Sequence, residues 1–366
     1  MLILGSILGL LLAFYLLAKI CEDYLVESLE LIARRFRMPH DVAGATLMAV
    51  GSSAPELFTS LIAVHTIGAE SIGVGTIVGS AIFNILVIVG GVALVATVRL
   101  DARPVVRDLG FYLASVLLLF WVFEDGVISK MEAITCLLLY VVYILFLVYW
   151  SRRFPFDGED TFLADEAHQS ATRHRSINQT VWMRAHEIFT TIADQGLHHA
   201  FLRLKRHPHR YPAVFTISIV YIAVLSWVLV QLSVVLAHEL HVSEAIIALT
   251  VLAIGTSVPD MMASLIVSRK GKGGMAVSNA IGSNTFDILI GLGLPWSIYI
   301  LWNDQPVTVA THDLLVSIML LGGSVVLLAL IFVVRQFTIG WKAGILLLFI
   351  YAVYLLYAIF SASGVL

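Results

Sequence analysis

Charge is scarce in this 366-residue sequence. Lysine, arginine, aspartate and glutamate make up 13% of it, and the formal net charge is −3. A soluble domain carries about a quarter charged residues, so one packed soluble domain is excluded. A disordered or nucleic-acid-binding chain is excluded too, since both need charge in quantity. Cysteine is nearly absent: Cys21 and Cys136 are too few for a disulfide framework or a zinc site, and read as small buried residues. The 26 glycines and 9 prolines are too few and scattered for a fibrous protein. No basic segment precedes the first apolar run, so a cleaved signal peptide is not expected. The alternation that marks a membrane β-barrel is missing as well. What the chain has in excess is apolar: 59% of residues are hydrophobic and the mean hydropathy is +0.94.

A transmembrane helix needs about 20 mostly apolar residues. Ten segments qualify: 2–32, 41–67, 71–98, 105–123, 128–150, 212–237, 243–268, 274–301, 310–334 and 340–361. The expected fold is therefore an all-α polytopic membrane protein with ten transmembrane helices. One long polar segment, 151–211, separates two groups of five, giving a first half at 1–150 and a second at 212–366. This connector is acidic at its start and histidine-rich later. Residues 179–206 in it fit an amphipathic surface helix, and no zinc-type spacing appears. With the N-terminus outside, 20 of the 22 basic residues fall in inward connections. That bias predicts both termini outside and the 151–211 loop in the cytoplasm.

Two segments repeat. Residues 45–60 (ATLMAVGSSAPELFTS) align with 249–264 (LTVLAIGTSVPDMMAS), so that Gly51, Ser53 and Pro55 match Gly255, Ser257 and Pro259, and Glu56 matches Asp260. A second element follows in each half: GSAIFNIL from Gly79 and GSNTFDIL from Gly282. Five spans is an odd number, so the second copy enters the membrane upside down. Inverted repeats with Gly/Pro-interrupted helices at matching places are the pattern of secondary transporters.

Glu56, Asp260 and Asp287 fall inside spans, where a carboxylate costs a few kcal/mol or more (~3 on insertion scales). No lysine or arginine lies in the four repeat helices to offset them, so a bound cation is the simplest counter-charge. Pro55 and Pro259 lack an N–H and free the carbonyls of Gly51 and Gly255. Ser52, Ser53, Thr256 and Ser257 stand beside these prolines, and the second elements add Ser80, Asn84, Ser283, Asn284 and Asp287. Every ligand offered is a hard oxygen. That set suits calcium, with sodium and potassium also fitting and magnesium less so. Gly73, Gly75, Gly79, Gly90 and Gly91 fit close helix packing instead. Symmetry breaks where Asn84 meets Asp287. The three carboxylates match the summed charge of one calcium and one potassium.

At these residues the sequence resembles the cation/calcium exchanger superfamily, and within it most closely the potassium-dependent sodium/calcium exchangers. The run RKGKGGMAVS from Arg269 and the Leu294-Pro295-Trp296 triplet strengthen the likeness. The resemblance implies that Glu56 and Asp260 coordinate calcium and that Asp287 confers potassium dependence. It implies that Asn84 and the neighbouring hydroxyls are sodium and calcium ligands. It also implies that the carbonyls of Ala49 and Ala253 are sodium ligands. The motif of the proton-coupled calcium branch, with asparagine in place of Ser52 or Thr256, is absent, and the 151–211 loop is too short for calcium-sensing domains.

The expected function is a sodium/calcium antiporter that co-transports potassium with calcium by alternating access around a midplane site. A calcium/proton antiporter and a cation channel are the rivals. No covalent chemistry and no cofactor are implied. The expected partners are inorganic cations and the lipid bilayer, with no nucleic acid and with monomer and homodimer both open. The expected location is the plasma membrane.

Overall fold

The computed structural model describes residues 2–25, 28, 31–32, 35, 49–66, 70–95, 97–153, 211–269, 273–309 and 312–362. The interior of the 151–211 connector, with the surface helix expected at 179–206, lies outside the described residues, as do 36–48. Long apolar runs satisfy every backbone group internally as helices, the form lipid demands. In chain order they are α1 (Leu2–Leu25), α2 (Ala49–Ser52), α3 (Ala54–Ala63) and α4, which runs from Glu70 to Val95. Then come α5 (Ala102–Val122), α6 (Lys130–Arg153), α7 (Tyr211–Leu240), α8 (Glu244–Thr256) and α9 (Val258–Arg269). The last three are α10, running from Gly273 to Asn303, α11 (His312–Val334) and α12 (Trp341–Ala362).

Eight of these (α1, α4, α5, α6, α7, α10, α11 and α12) are long and apolar enough to cross a membrane. The described parts of the other two expected spans, 41–67 and 243–268, are interrupted helices. The break falls at Ser53 (φ −92°, ψ 7°) in one and Ser257 (φ −84°, ψ 1°) in the other. Both residues sit in the sparsely populated bridge region, two positions before a proline that gives its helix no N–H.

Two further irregularities also occur at matching places. In α4 a wide π turn spans Asn84–Ile88, and in α10 another spans Asp287–Leu292. Such turns widen a helix by one residue and concentrate at functional sites. Each opens on the residue that breaks the repeat symmetry.

The halves are interlaced. Helices α5 and α6 of the first half pack on α10 of the second, including its π turn, while α11 and α12 pack on α4 and its π turn. Two short antiparallel clips join them. Strand β1 (Val98–Arg99) pairs with β4 (Thr338–Ile339), and β2 (Val127–Ile128) pairs with β3 (Val307–Thr308). One buried cluster joins α4, α5, α6, α10, α11 and α12. A second gathers α1 and α7 against parts of α3, α4 and α8. The outward sides of α5, α6, α11 and α12 carry exposed Leu117, Leu145, Val333 and Phe349, as lipid contact requires.

Gly79 lets α4 approach α8 closely, because a Cβ there would strike the Leu249 carbonyl oxygen. Gly110 on α5 and Gly323 on α11 have open space. Gly79→Ala should therefore lower the melting midpoint of the purified protein, by the ~1–3 kcal/mol of an overpacked core. Gly110→Ala should leave it unchanged or slightly raised. Tryptophan-fluorescence melting in detergent checks both, and equal midpoints for the two variants would refute the close-approach reading.

Candidate cation site

The two broken helices and the matching π turns of α4 and α10 meet in the interior. Helix α3 packs on the π turn of α10, and α4 packs on α8. Glu56 therefore sits in the first turn of α3, Asp260 in the first turn of α9, and Asn84 and Asp287 at the starts of the π turns. All twelve expected site residues are buried: Ala49, Ser52, Ser53, Glu56, Ser80, Asn84, Ala253, Thr256, Ser257, Asp260, Ser283 and Asp287. Ser52 is the most exposed, at 8%.

The contacts cross between the repeats. Ser80 Oγ and Ser257 Oγ are 2.8 Å apart. Asn84 Nδ2 donates to Asn284 Oδ1 (2.8 Å), Asp260 Oδ2 (3.3 Å) and Ser283 Oγ (3.4 Å). Asn284 Nδ2 donates to the Ala81 carbonyl (3.1 Å). Ser52 adjoins Asp260, and its repeat counterpart Thr256 adjoins Glu56. Ser53 adjoins Asp287. The three carboxylates lie close enough for each charge to bear on the others.

Several of these hydroxyls also bond their own helix: Thr256 Oγ1 to the Leu252 carbonyl (3.0 Å), Ser283 to Ala280 (3.4 Å) and Ser52 to Ala49 (3.5 Å). A hydroxyl whose proton is held this way still turns a lone pair outward. The Ala49 carbonyl accepts the Ser53 N–H (2.9 Å), and the Ala253 carbonyl accepts the Ser257 N–H (3.3 Å). Each carbonyl stays in its helical ladder; that of Ala253 keeps one lone pair, while that of Ala49 also accepts the long Ser52 hydroxyl bond.

The electrostatics are severe. Among the described residues no oxygen of Glu56 or Asp287, nor Asp260 Oδ1, accepts a hydrogen bond, and Ser53 Oγ and Asn84 Oδ1 are likewise buried without a partner. Among the described residues no basic side chain pairs with any of the three. The one other buried carboxylate among the described residues, Asp108, shows the contrast: Arg107 holds it bidentately at 2.7 and 3.1 Å. No three acidic, histidine or cysteine side chains among the described residues are grouped so as to hold one metal ion alone. A cation here must draw on hydroxyl, amide and carbonyl oxygens as well, and the charge is spread over more than one position. Asp23 and His238 are exposed on their helices. The repeat motifs do not point to Tyr112 of α5, whose buried hydroxyl lies beside Asn284, because a lone tyrosine in an apolar helix carries no sequence signal.

The family described as sodium/calcium exchanger protein matches residues 6–149 and 210–360. Sodium/potassium/calcium exchanger 4 of Mus musculus is 30% identical, over 98% of this chain and 81% of the relative. Sodium/potassium/calcium exchanger 2 of Gallus gallus is 27% identical, over 96% and 76%. Among solved structures, the sodium-calcium exchanger NCX_Mj soaked with Na+ and Sr2+ superposes with a TM-score of 0.59. It is 25% identical and covers 96% of this chain and 97% of that one. The same exchanger soaked with Na+ and Ca2+ gives 0.57 at 25% identity, with the same coverage.

Because the buried carboxylates repel one another, neutralising one should relieve the empty protein. In cation-free buffer Glu56→Gln should melt above the wild type, with each ~1 kcal/mol worth about 2 °C. Added calcium should raise the wild-type midpoint and leave the variant's in place. A variant that melts lower in cation-free buffer would show that Glu56 is held by protein contacts instead.

Proposed function

The chain belongs to the sodium/calcium exchanger family, whose members are membrane antiporters of cations and not enzymes, and we propose that it exchanges sodium for calcium with potassium carried alongside calcium. One observation carries the reading: three buried carboxylates share an oxygen-rich interior with no basic side chain among the described residues to balance them. Glu56 and Asp260 hold calcium, with Ser52, Ser53, Thr256, Ser257, Ser80, Ser283 and Asn84 supplying neutral oxygens. The Ala49 and Ala253 carbonyls serve sodium. Asp287 serves the potassium ion. Sodium and calcium compete for these oxygens, so one leaves as the other binds. The potassium-dependent names of the relatives support this finer assignment for the present chain.

We assign the two halves as inverted repeats, and the strand clips support this. Strands β1 and β3 occupy matching places before α5 and α11, and β2 and β4 matching places before α6 and α12. Yet β1 pairs with β4 and β2 with β3. One spanning helix separates β1 from β2, so matching strands lie at opposite ends. The aromatic packing repeats as well. Phe286 meets Tyr140 edge-on at 5.6–5.7 Å, as Phe83 meets Tyr351. The pairs Tyr140–Tyr143 and Tyr351–Tyr354 both stand 6.0 Å apart.

Alternating access then follows from movement of α1 and α7, which have their own buried cluster, against the larger one. Both termini lie outside, the 151–211 connector is cytoplasmic, and the host is the plasma membrane.

Sodium-loaded proteoliposomes should take up radioactive calcium down the sodium gradient, and faster with external potassium. Glu56→Gln and Asp260→Asn should each abolish uptake. Asp287→Asn should make uptake indifferent to potassium. Normal uptake by either of the first two variants would sink the site. Uptake that follows a pH gradient and ignores sodium would assign the coupling to protons. Uptake that needs no counter-ion would assign a channel. Removing most of 157–206 should spare transport if that segment is only a connector.

A further inference from the structure

Helix α5 reaches the site with one polar side chain that the exchange reading leaves unused. Tyr112 is wholly buried and its hydroxyl has no hydrogen-bond partner among the described residues. The hydroxyl lies beside the Asn284 carboxamide and near enough to Asp287 for that charge to reach it. Asn284 Oδ1 already accepts the Asn84 amide, and Asn84 in turn donates to Asp260. Tyr112 is thus the outermost member of a line that runs from a scaffold helix to a site carboxylate, with Asp287 one turn further along α10.

The other half has no counterpart. Helices α5 and α11 align through their buried positions, Ser115 on Ser324, Val116 on Val325 and Leu119 on Leu328. Tyr112 then falls on Leu321, also buried. Since α5 packs on the π turn of Asp287 and α11 on that of Asn84, the turn with the extra carboxylate faces the helix with the extra oxygen. Packing alone does not account for this. A buried phenol without a partner costs ~1–3 kcal/mol that phenylalanine would avoid. The chemistry around Asp287 is one negative charge among neutral oxygens from Tyr112, Asn284 and Ser53. That balance suits a monovalent cation better than a divalent one, which needs more carboxylate.

We propose that Tyr112 is a positioning residue of an Asp287 subsite, where its free hydroxyl hydrogen-bonds the adjacent Asn284 once an ion is bound and so tunes the subsite for a monovalent cation. The proposal rests on the reading of Asp287 as part of the cation site.

The test reads binding without transport. Melting midpoints of the purified full-length protein in detergent are titrated separately with sodium, potassium and calcium. The proteins are the wild type, Tyr112→Phe, Tyr112→Leu, Asp287→Asn and the Tyr112→Phe/Asp287→Asn double variant. Tyr112→Phe should weaken the apparent affinity for sodium or potassium about fivefold, the worth of one hydrogen bond, and move that for calcium less than about twofold. Tyr112→Leu should show the same split. The double variant should match Asp287→Asn alone, since both changes act on one subsite. The sodium and potassium arms say which ion the subsite holds. Equal weakening for all three ions, no weakening, or additive losses in the double variant would overturn the role of Tyr112. A wild type that no cation stabilises would overturn the exchange reading itself, and the subsite with it.

Discussion

Three carboxylates held away from water, with no basic partner among the described residues, are the constraint around which this protein is arranged. Taking one carboxylate out of water costs several kcal/mol even after relaxation (~20 in the idealised limit), and three close together repel as well. Hydrophobic packing elsewhere must bear that cost, and the helices around it do so. The α4 and α10 helices are sheathed by α5, α6, α11 and α12 in one continuous apolar cluster, and α1 and α7 close the remaining side. The irregular backbone serves the same end. Bends at Ser53 and Ser257 and π turns at Asn84 and Asp287 are tolerated in a membrane only where protein or cavity surrounds them. Each turns polar atoms inward that a straight helix would bond to itself.

The charge is arranged unequally on a nearly symmetric frame. Ser52 with Asp260 and Thr256 with Glu56 are the same pairing drawn twice, as are the aromatic contacts of Phe83 and Phe286. Against that duplication, Asn84 opposite Asp287 stands out. Asparagine can donate, and here it does so to the Asp260 carboxylate. Aspartate in that place would add repulsion instead. One half of the duplicated frame therefore steadies the Asp260 carboxylate, while the other carries a charge that its neighbours leave uncompensated.

What was legible in the sequence was local. Proline two residues after serine fixes where α2 gives way to α3 and α8 to α9. Apolar length sets α4 through α7 and α10 through α12 to within a few residues of the expected spans. The acidic positions stood out because no lysine or arginine falls within their expected spans. The π turns were not legible, since Asn84–Ile88 and Asp287–Leu292 read as ordinary apolar helix; the extra residue in each turn is set by packing against distant elements. Nor was the proximity of Tyr112 to Asn284, which depends on α5 crossing onto a helix some 170 positions further along the chain. Periodicity reports which face of a helix is buried, and not against what.

The two strand clips and the exchanged outer helices bear on how the chain is made. Elements α5 and α6 leave the ribosome before their packing partner α10 exists, and α4 must wait for α11 and α12. The first half thus enters the bilayer with its polar interior uncovered, and lipid, water or the insertion machinery covers it until the second half arrives. Assembly is a late, whole-chain event. A chain cut between α10 and α11 would lack the cover that α11 and α12 give α4 and its π turn, so the interior closes only when the last two helices are in place.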